Sequence, residues 1–349
     1  MPEVVDALRP VDGGLERVGF PSGVGNVVDL AATERGLVLL CADGRILVWA
    51  DGADRCREAA VSSVAVPAEA CAEYGNEQRL RLHASRDGRF AAVVVDYGRE
   101  GCVYDLADGR VVMVLENDGY KSGTVPFSLA FTEWGGRTVV VYRREWNIAE
   151  AADPGTGDVL TVLPAGPEVS VGNRYWREHF LGALDVSPGG TGIASAAWCW
   201  SPVGAPVAWR LEPWLAGGFD VRGEDLGWVT LPPCDYHWNR PLVWLDEDHV
   251  VLGGLGEDDI EIAPGARVFR LDGGAEPVEV AAFGGPEGTF FCADGVLFSS
   301  SELGLDIWDP FAGTRVGVLP GFRPTHHDRG RGELLELGDR GVRRWRIRL

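Results

Sequence analysis

Residues 295–321, GVLFSSSELGLDIWDPFAGTRVGVLPG, carry three short runs rich in Val, Leu, Ile and Phe, separated by the turns SELG and PFAG. Short apolar runs broken by glycine, with no apolar residue recurring at helical spacing, are the pattern of strands joined by hairpins. The same pattern runs through GLVLLCADGRILVWADG (36–52), RFAAVVVDYGREGCVYDLADG (89–109), and HVVLGGLGEDD (249–259) followed by ARVFRLDGG (266–274). The chain therefore reads as all-β.

The strands repeat. Aligning the turn that closes each unit brings Trp49, Tyr104, Ala152, Trp209, Phe269, Trp308 and Trp345 to one position, at spacings of 55, 48, 57, 60, 39 and 37 residues. A unit of roughly 40–45 residues with four strands, ending in an aromatic strand and a glycine turn, is the signature of a β-propeller blade. The last unit offers only three strands, FRPTHHD (322–328), ELLELGD (333–339) and VRRWRIR (342–348). The segment LERVGFPSG (15–23) has the length to supply the fourth, which would leave no open edge. The expected architecture is one domain over residues 1–349: a seven-bladed β-propeller of four-stranded antiparallel blades, its ring closed by an N-terminal strand completing the last blade.

Two segments match the third and fourth strands of WD repeats, DIWDPFAGTRVGVLPG (306–321) and CVYDLADGRVVMVLE (102–116). The chain thus resembles a degenerate WD-repeat propeller. It lacks the opening Gly-His dipeptide, and only Trp308-Asp309 keeps the literal Trp-Asp pair. EWNIAEAADPGTGDVL (145–160), DVSPGGTGIASAAWCWSPVG (185–204) and NRPLVWLDEDHVVLGGLGEDD (239–259) are similar to a group of bacterial propeller proteins. The resemblance covers nearly the whole chain and implies the fold, not an activity, because propellers serve as scaffolds, binders and enzymes.

Composition narrows the partners. With 32 basic against 52 acidic residues, a net charge of -20, the chain repels both a phosphate backbone and an anionic membrane surface. Neither nucleic acid nor membrane is expected as a partner. MPEVVDALRP (1–10) lacks the basic start and apolar block of a secretory signal, and no run reaches the length of a membrane span, so a cytoplasmic location is expected. The seven cysteines are scattered and form no CxxC pair, which reads as buried thiols rather than disulfides or zinc ligands. HExxH, the P-loop, GxSxG and a dinucleotide fingerprint are absent, and no cofactor or metal is expected.

In a propeller with strands a to d from the axis outward, the d-to-a and b-to-c loops share one face and the a-to-b and c-to-d loops the other. The second set consists mostly of tight glycine turns. The first set collects Tyr120, Lys121, Arg143, Glu145, Trp146, Tyr175, Trp176, His179, Tyr236, His237, Trp238, Arg240, Glu257, Asp258, Asp259, Glu302, His326 and His327. Long loops with that chemistry predict a site at the corresponding mouth of the channel. In SAAWCWSPVGAP (195–206), placed on the second strand of the fourth unit and the loop leaving it, Trp198 is expected to pack between blades. Trp200 is expected to approach the loop face.

Tyr120, Trp146, Trp176, Trp200, Tyr236, His237, Trp238, Arg240 and His326 are the candidate ligand-binding residues, since aromatic walls with a few acids suit an aromatic or cationic small molecule. Glu145, Glu257, Asp258, Asp259 and Glu302 are the candidate general acids or bases. Clustered carboxylates raise one another's pKa, whereas an acidic turn in so acidic a chain can equally be solvated surface. Adjacent His326 and His327 point to opposite sides of a strand and do not share a metal ion. Arg240 and Asp235 could instead form a structural ion pair.

Two readings follow: a small-molecule site at the channel mouth, or a scaffold gripping a protein or peptide with the same face. A closed pocket favours the first and a shallow aromatic plateau the second. By fold analogy alone, propellers similar to strictosidine synthase run Pictet-Spengler condensations with an acidic residue, and none of their motifs maps onto this chain.

Overall fold

The structure is a computed structural model that describes residues 14–67, 75–161, 179–200, 202–216, 228–256, 262–271 and 276–348. Among them the chain is all-β, forming eight antiparallel sheets of three or four strands, an arrangement compatible with a β-propeller-like fold.

Seven of the sheets follow one another along the chain. The first holds Val27–Thr33, Gly36–Cys41, Arg45–Trp49 and Arg57–Val61, and the second Arg79–Ala84, Phe90–Asp96, Glu100–Asp105 and Val111–Glu116. The third holds Leu129–Trp134, Arg137–Glu145 and Ile148–Ala152, and the fourth Leu184–Val186, Gly192–Ser195, Val207–Arg210 and Val229–Thr230. Leu242–Trp244, His249–Leu255, Ala263–Arg270 and Val278–Gly284 form the fifth, and Thr289–Ala293, Val296–Ser301, Gly304–Asp309 and Thr314–Pro320 the sixth. The seventh joins His326–Asp328, Glu333–Gly338 and Gly341–Arg346 to Leu15–Gly19, which pairs antiparallel with Gly341–Arg346 from Leu15↔Trp345 to Gly19↔Gly341. The proposed partner of the last unit is therefore the observed one.

Each of the seven aligned positions falls on the third strand of its own sheet, opposite a second-strand aliphatic residue: Leu37↔Trp49, Ala91↔Tyr104, Val140↔Ala152, Ile193↔Trp209, Val250↔Phe269, Leu297↔Trp308 and Leu334↔Trp345. In the second, fifth and sixth sheets a register shift against the fourth strand falls immediately before the aromatic residue, at Val103/Tyr104, Val268/Phe269 and Ile307/Trp308. A bulge there adds local twist. It recurs with the repeat.

Alternation along each strand sends successive side chains to opposite faces, and here both faces are covered. Ala91, Val93 and Val95 join Val38, Leu40 and Ile46 of the first sheet, while Phe90, Ala92 and Val94 join Phe127, Leu129 and Val140 at the third. Val139 and Val141 meet Ile193 and Trp209, and Ala194 and Ala208 meet Trp244 and Phe269. Val251 and Val268 meet Phe290 and Trp308, Phe298 and Ile307 meet Leu334 and Trp345, and Leu335 and Val342 meet Leu30 and Leu39 of the first sheet.

From the first sheet to the sixth, the first strands of consecutive sheets lie side by side, and His326–Asp328 of the seventh lies beside Val27–Thr33 of the first. Side chains tie their edges. Buried Asp29 accepts the Leu82 amide at 2.7 Å and contacts His326 Nε2 at 2.8 Å, and Asp185 accepts the Trp244 amide at 2.8 Å. Burial opposes the ionised Asp29 carboxyl, but these hydrogen bonds and the His326 and Arg81 charges win and hold its pKa below the ordinary carboxylate value.

The fourth unit departs from expectation. Its second strand stops at Ser195, and Trp198–Cys199 joins the eighth, small sheet with Val203–Gly204 and Cys234–Asp235. Pro202 and Pro206 have no amide to donate to a continuing ladder. After Arg210 the chain makes one short helix, Leu211–Leu215, whose Trp214 packs edge-on to Trp209 at 5.9 Å. No helix among the described residues is long and apolar enough to cross a membrane.

Trp345 is 1% exposed within the core between the sixth and seventh sheets. Trp345→Ala should cost ~3–5 kcal/mol in urea unfolding, whereas Val316→Ala, on an exposed strand position, should stay within ~0.5 kcal/mol.

Two first-strand imidazoles set an acid limit. His83 and His327 each bury Nε2 without a hydrogen-bond partner, and desolvation, aided by Arg81 and Arg329 respectively, lowers their pKa from 6.5 to about 4 and about 3. The unfolded chain takes up these protons near pH 6.5 while the folded chain refuses them until pH 4 or below, so stability declines as pH falls through that window. The His83 contribution lost by pH 4 is on the order of 3 kcal/mol. Denaturation at pH 7, 5.5 and 4 should show this decline, and the double variant His83→Asn with His327→Asn should flatten it.

Candidate functional site

Four of the predicted ligand-binding aromatics converge: Tyr120, Trp146, Trp200 and Trp238. They gather around Phe180 and Trp198, which exchange both backbone hydrogen bonds (2.6 and 3.1 Å) and stack with ring centroids 4.0 Å apart at 10°. Trp146 lies 4.3 Å from Phe180 on one side, and Trp238 stacks 5.5 Å from Trp198 on the other. Tyr120 meets Trp146 and Phe180 at 5.8 and 5.7 Å, and Trp200 stands edge-on to Trp198 at 5.4 Å.

Each ring is delivered by local structure. Tyr120 sits in the loop between the second and third sheets, where Asn117 Oδ1 accepts the Gly119 amide at 2.8 Å and Asp118 Oδ1 that of Tyr120 at 3.2 Å. Such side-chain bonds to the backbone two residues on fix a turn without a regular ladder. Trp146 caps the hairpin between the second and third strands of the third sheet, and Trp200 the hairpin of the small sheet. Trp238 follows Tyr236 and precedes Asn239, both with left-handed backbone at φ 60°. Gly204 is required beneath that loop, because a side chain at this position would collide with the His237 carbonyl.

Thr124, 1% exposed, anchors both indoles. Its Oγ1 accepts from Trp198 Nε1 at 3.2 Å, and its carbonyl accepts from Trp238 Nε1 and Asn239 Nδ2, both at 2.9 Å. The outcome is graded: Trp198 is 2% exposed, whereas Trp200 is 57% and Tyr120 46% exposed. A buried, hydrogen-bonded base carries exposed aromatic edges.

The other candidates stand apart from this cluster or support it. Tyr236 is exposed, and His237 keeps Nε2 buried without a partner. Arg240 is 7% exposed and donates through Nε to the Gly253 carbonyl (2.7 Å) and through Nη2 to that of Gly254 (2.9 Å), so its partners are main-chain carbonyls of the fifth sheet. Burial lowers its pKa. His326 lies on the first strand of the seventh sheet, turned to Asp29, while His327 turns the other way, edge-on to Phe291 at 6.2 Å. Glu145 contacts Arg144 at 3.4 Å on the third sheet, and Glu302 contacts Arg323 at 2.8 Å beside the sixth. Glu257, Asp258, Asp259 and Trp176, with Tyr175, lie outside the described residues.

Sequence reasoning passed over Phe180 and Thr124. Phe180 follows Tyr175 and Trp176 in sequence, a signal open to reading, whereas Thr124, whose hydroxyl and carbonyl both accept indole hydrogen bonds, carries nothing that sets it apart from any other threonine. Arg143 is 1% exposed below the cluster and donates from Nη1 to the Leu181 carbonyl at 3.0 Å. Its Nε and Nη2 have no partner, and desolvation lowers its pKa to about 10.

Two cavities lie away from the aromatic cluster. One of 430 Å³ separates the seventh and first sheets, where Arg331 bridges Asp51 (2.8 Å) and Asp328 (2.7 Å). The other, of 440 Å³, is lined by the far ends of the first strands of all seven successive sheets. Among the described residues no group of three or more His, Cys, Asp and Glu side chains is placed to hold a metal ion.

No protein-family model and no curated protein matches the chain. Among solved structures, it is similar to the crystal structure of the computationally designed Ika8 protein, at 15% identity and a TM-score of 0.49, over 96% of this chain and 100% of that one.

Proposed function

We propose that the seven successive sheets are the blades of a closed β-propeller and that the protein is a binding module, docking a polypeptide segment on its aromatic patch. The ring is supported by cores between every pair of consecutive sheets, the last of them between the seventh and the first, and by the pairing of Leu15–Gly19 with Gly341–Arg346.

The observation that carries the functional reading is the convergence of six aromatic rings from five separate segments of the chain, with Trp200 and Tyr120 exposed over a buried stack. Evolved cores hide such rings. Exposed Trp and Tyr on a rigid base are the residues that dominate interface energetics. None of them lines either cavity described above, and Trp200 and Tyr120 stand outward, which suits a partner surface better than an enclosed small molecule. Exposed indole faces on a chain of net charge -20 favour a segment combining apolar side chains with Arg or Lys. Glu145 and Glu302, the described carboxylates expected to do acid–base work, engage arginines on separate sheets, which supports binding over turnover.

Panning a random peptide library against the protein should enrich basic sequences with apolar anchors. Trp200→Ala should weaken the enriched peptides at least ~10-fold with an unchanged melting temperature, as should Tyr120→Ala, while Phe311→Ala, an exposed aromatic elsewhere, should leave binding intact. Equal affinity in all three variants would sink the proposal.

A further inference from the structure

At the joint between the seventh and first sheets the repeat position is incompletely packed. Tyr104, Trp209, Phe269, Trp308 and Trp345 are each buried in the gap toward the preceding sheet. Trp49, their counterpart facing the seventh sheet, is only half-buried and lines the 430 Å³ cavity. Its Nε1 donates to the Ala53 carbonyl at 3.0 Å, so the indole has only apolar surface left to offer. Leu37, Leu335 and Val342 continue that wall, and the volume falls in the range of small-ligand sites.

The polar lining leaves one buried charge unanswered. Five carboxylates face two arginines, and both arginines are engaged: Arg331 by Asp51 and Asp328, at 2.8 and 2.7 Å, and Arg344 by Glu16 at 2.9 Å. Glu333 is 8% exposed, yet its carboxyl accepts no hydrogen bond among the described residues, and its nearest cation, Arg346 Nε, stands off at 3.7 Å. Unlike the sealed nitrogens of His83 and His327, this side chain keeps accessible surface, 10% of it, where it lines the cavity. Burial pushes its pKa above the ordinary carboxylate value, with Asp328 adding to the rise and Arg344, Arg346 and Arg331 opposing it. A buried carboxyl without hydrogen bonds is destabilising until a donor satisfies it. Glu333 lies two residues before Leu335 on the same side of its strand, roughly 7 Å along it, and Leu335 shares a core with Leu37 and Trp49. The carboxyl and the indole therefore border one space.

We propose that this joint is a second binding site, for a small organic cation with a planar, forked N–H head, an amidinium or guanidinium, on an apolar body. The head donates two N–H groups to Glu333, the bidentate match for a carboxylate whose oxygens are both unbonded, and the body lies against Trp49, Leu335 and Val342. The site shares no residue with the aromatic patch and is independent of whatever that patch docks.

The test is calorimetric titration of the whole chain with benzamidine, using benzamide as the uncharged isostere and guanidinium as the head without a body. Glu333→Gln removes the charge and keeps the side chain's size. Val18→Phe, on the outer strand of the seventh sheet, places a ring in the cavity, leaves Glu333 in place and keeps a residue type that strands favour. Thermal melting confirms that both variants fold. Benzamidine should bind the native chain saturably, at least ~10-fold more weakly in Glu333→Gln and in Val18→Phe, and equally well in Trp200→Ala; benzamide and guanidinium should each bind at least ~10-fold more weakly than benzamidine. Four results would each overturn the proposal: no saturable benzamidine binding; equal affinity in Glu333→Gln, as a general counterion on an acidic surface would give; weakened binding in Trp200→Ala, which would put the ligand on the aromatic patch; or benzamide or guanidinium binding as tightly as benzamidine.

Discussion

Each of the seven successive sheets must have both faces covered, and the rest of the structure follows from that constraint. A half-buried strand can alternate apolar and polar residues, but Phe90–Asp96 cannot: Ala91, Val93 and Val95 serve one core while Phe90, Ala92 and Val94 serve the next. Neighbouring twisted sheets diverge away from their first strands, so the gap between them widens outward and needs larger side chains. Trp209, Phe269, Trp308 and Trp345 fill that gap from the third strands. The first strands, by contrast, come close enough for single carboxylates such as Asp29 and Asp185 to bond the neighbouring edge.

This division explains what was legible in the sequence. The third-strand residue recurs because every gap makes the same demand, and so the repeat could be found even where spacing drifts and Ala152 replaces the aromatic. Leu15–Gly19 could be assigned to the last sheet because a missing strand is a counting problem. The fourth unit was less readable. Pro202 and Pro206 mark locally where its ladder cannot continue, but Phe180, the partner that Trp198 takes instead, is remote in sequence, and no local pattern announces that pairing.

The site was legible as a collection of loops, not as an arrangement. Tyr120, Trp146, Trp200 and Trp238 could be gathered because exposed loops rarely carry large aromatics without cause. Their organiser, Thr124, works through its hydroxyl and its carbonyl, groups that every threonine possesses. Arg240 and Arg143 read as charges available to a ligand, yet both donate to main-chain carbonyls, a use that only the folded backbone reveals. Likewise the 440 Å³ cavity is built from glycine turns and strand ends that looked like mere punctuation.

The pairing of Leu15–Gly19 with Gly341–Arg346 has a kinetic consequence. A strand near the beginning of the chain must remain without its partner until residues more than three hundred positions later have been synthesised. The intervening sheets are local meanders that can form as they emerge, but the seventh waits until Gly341–Arg346 has been made. Until then the edge of Leu15–Gly19 is open to pairing with another chain.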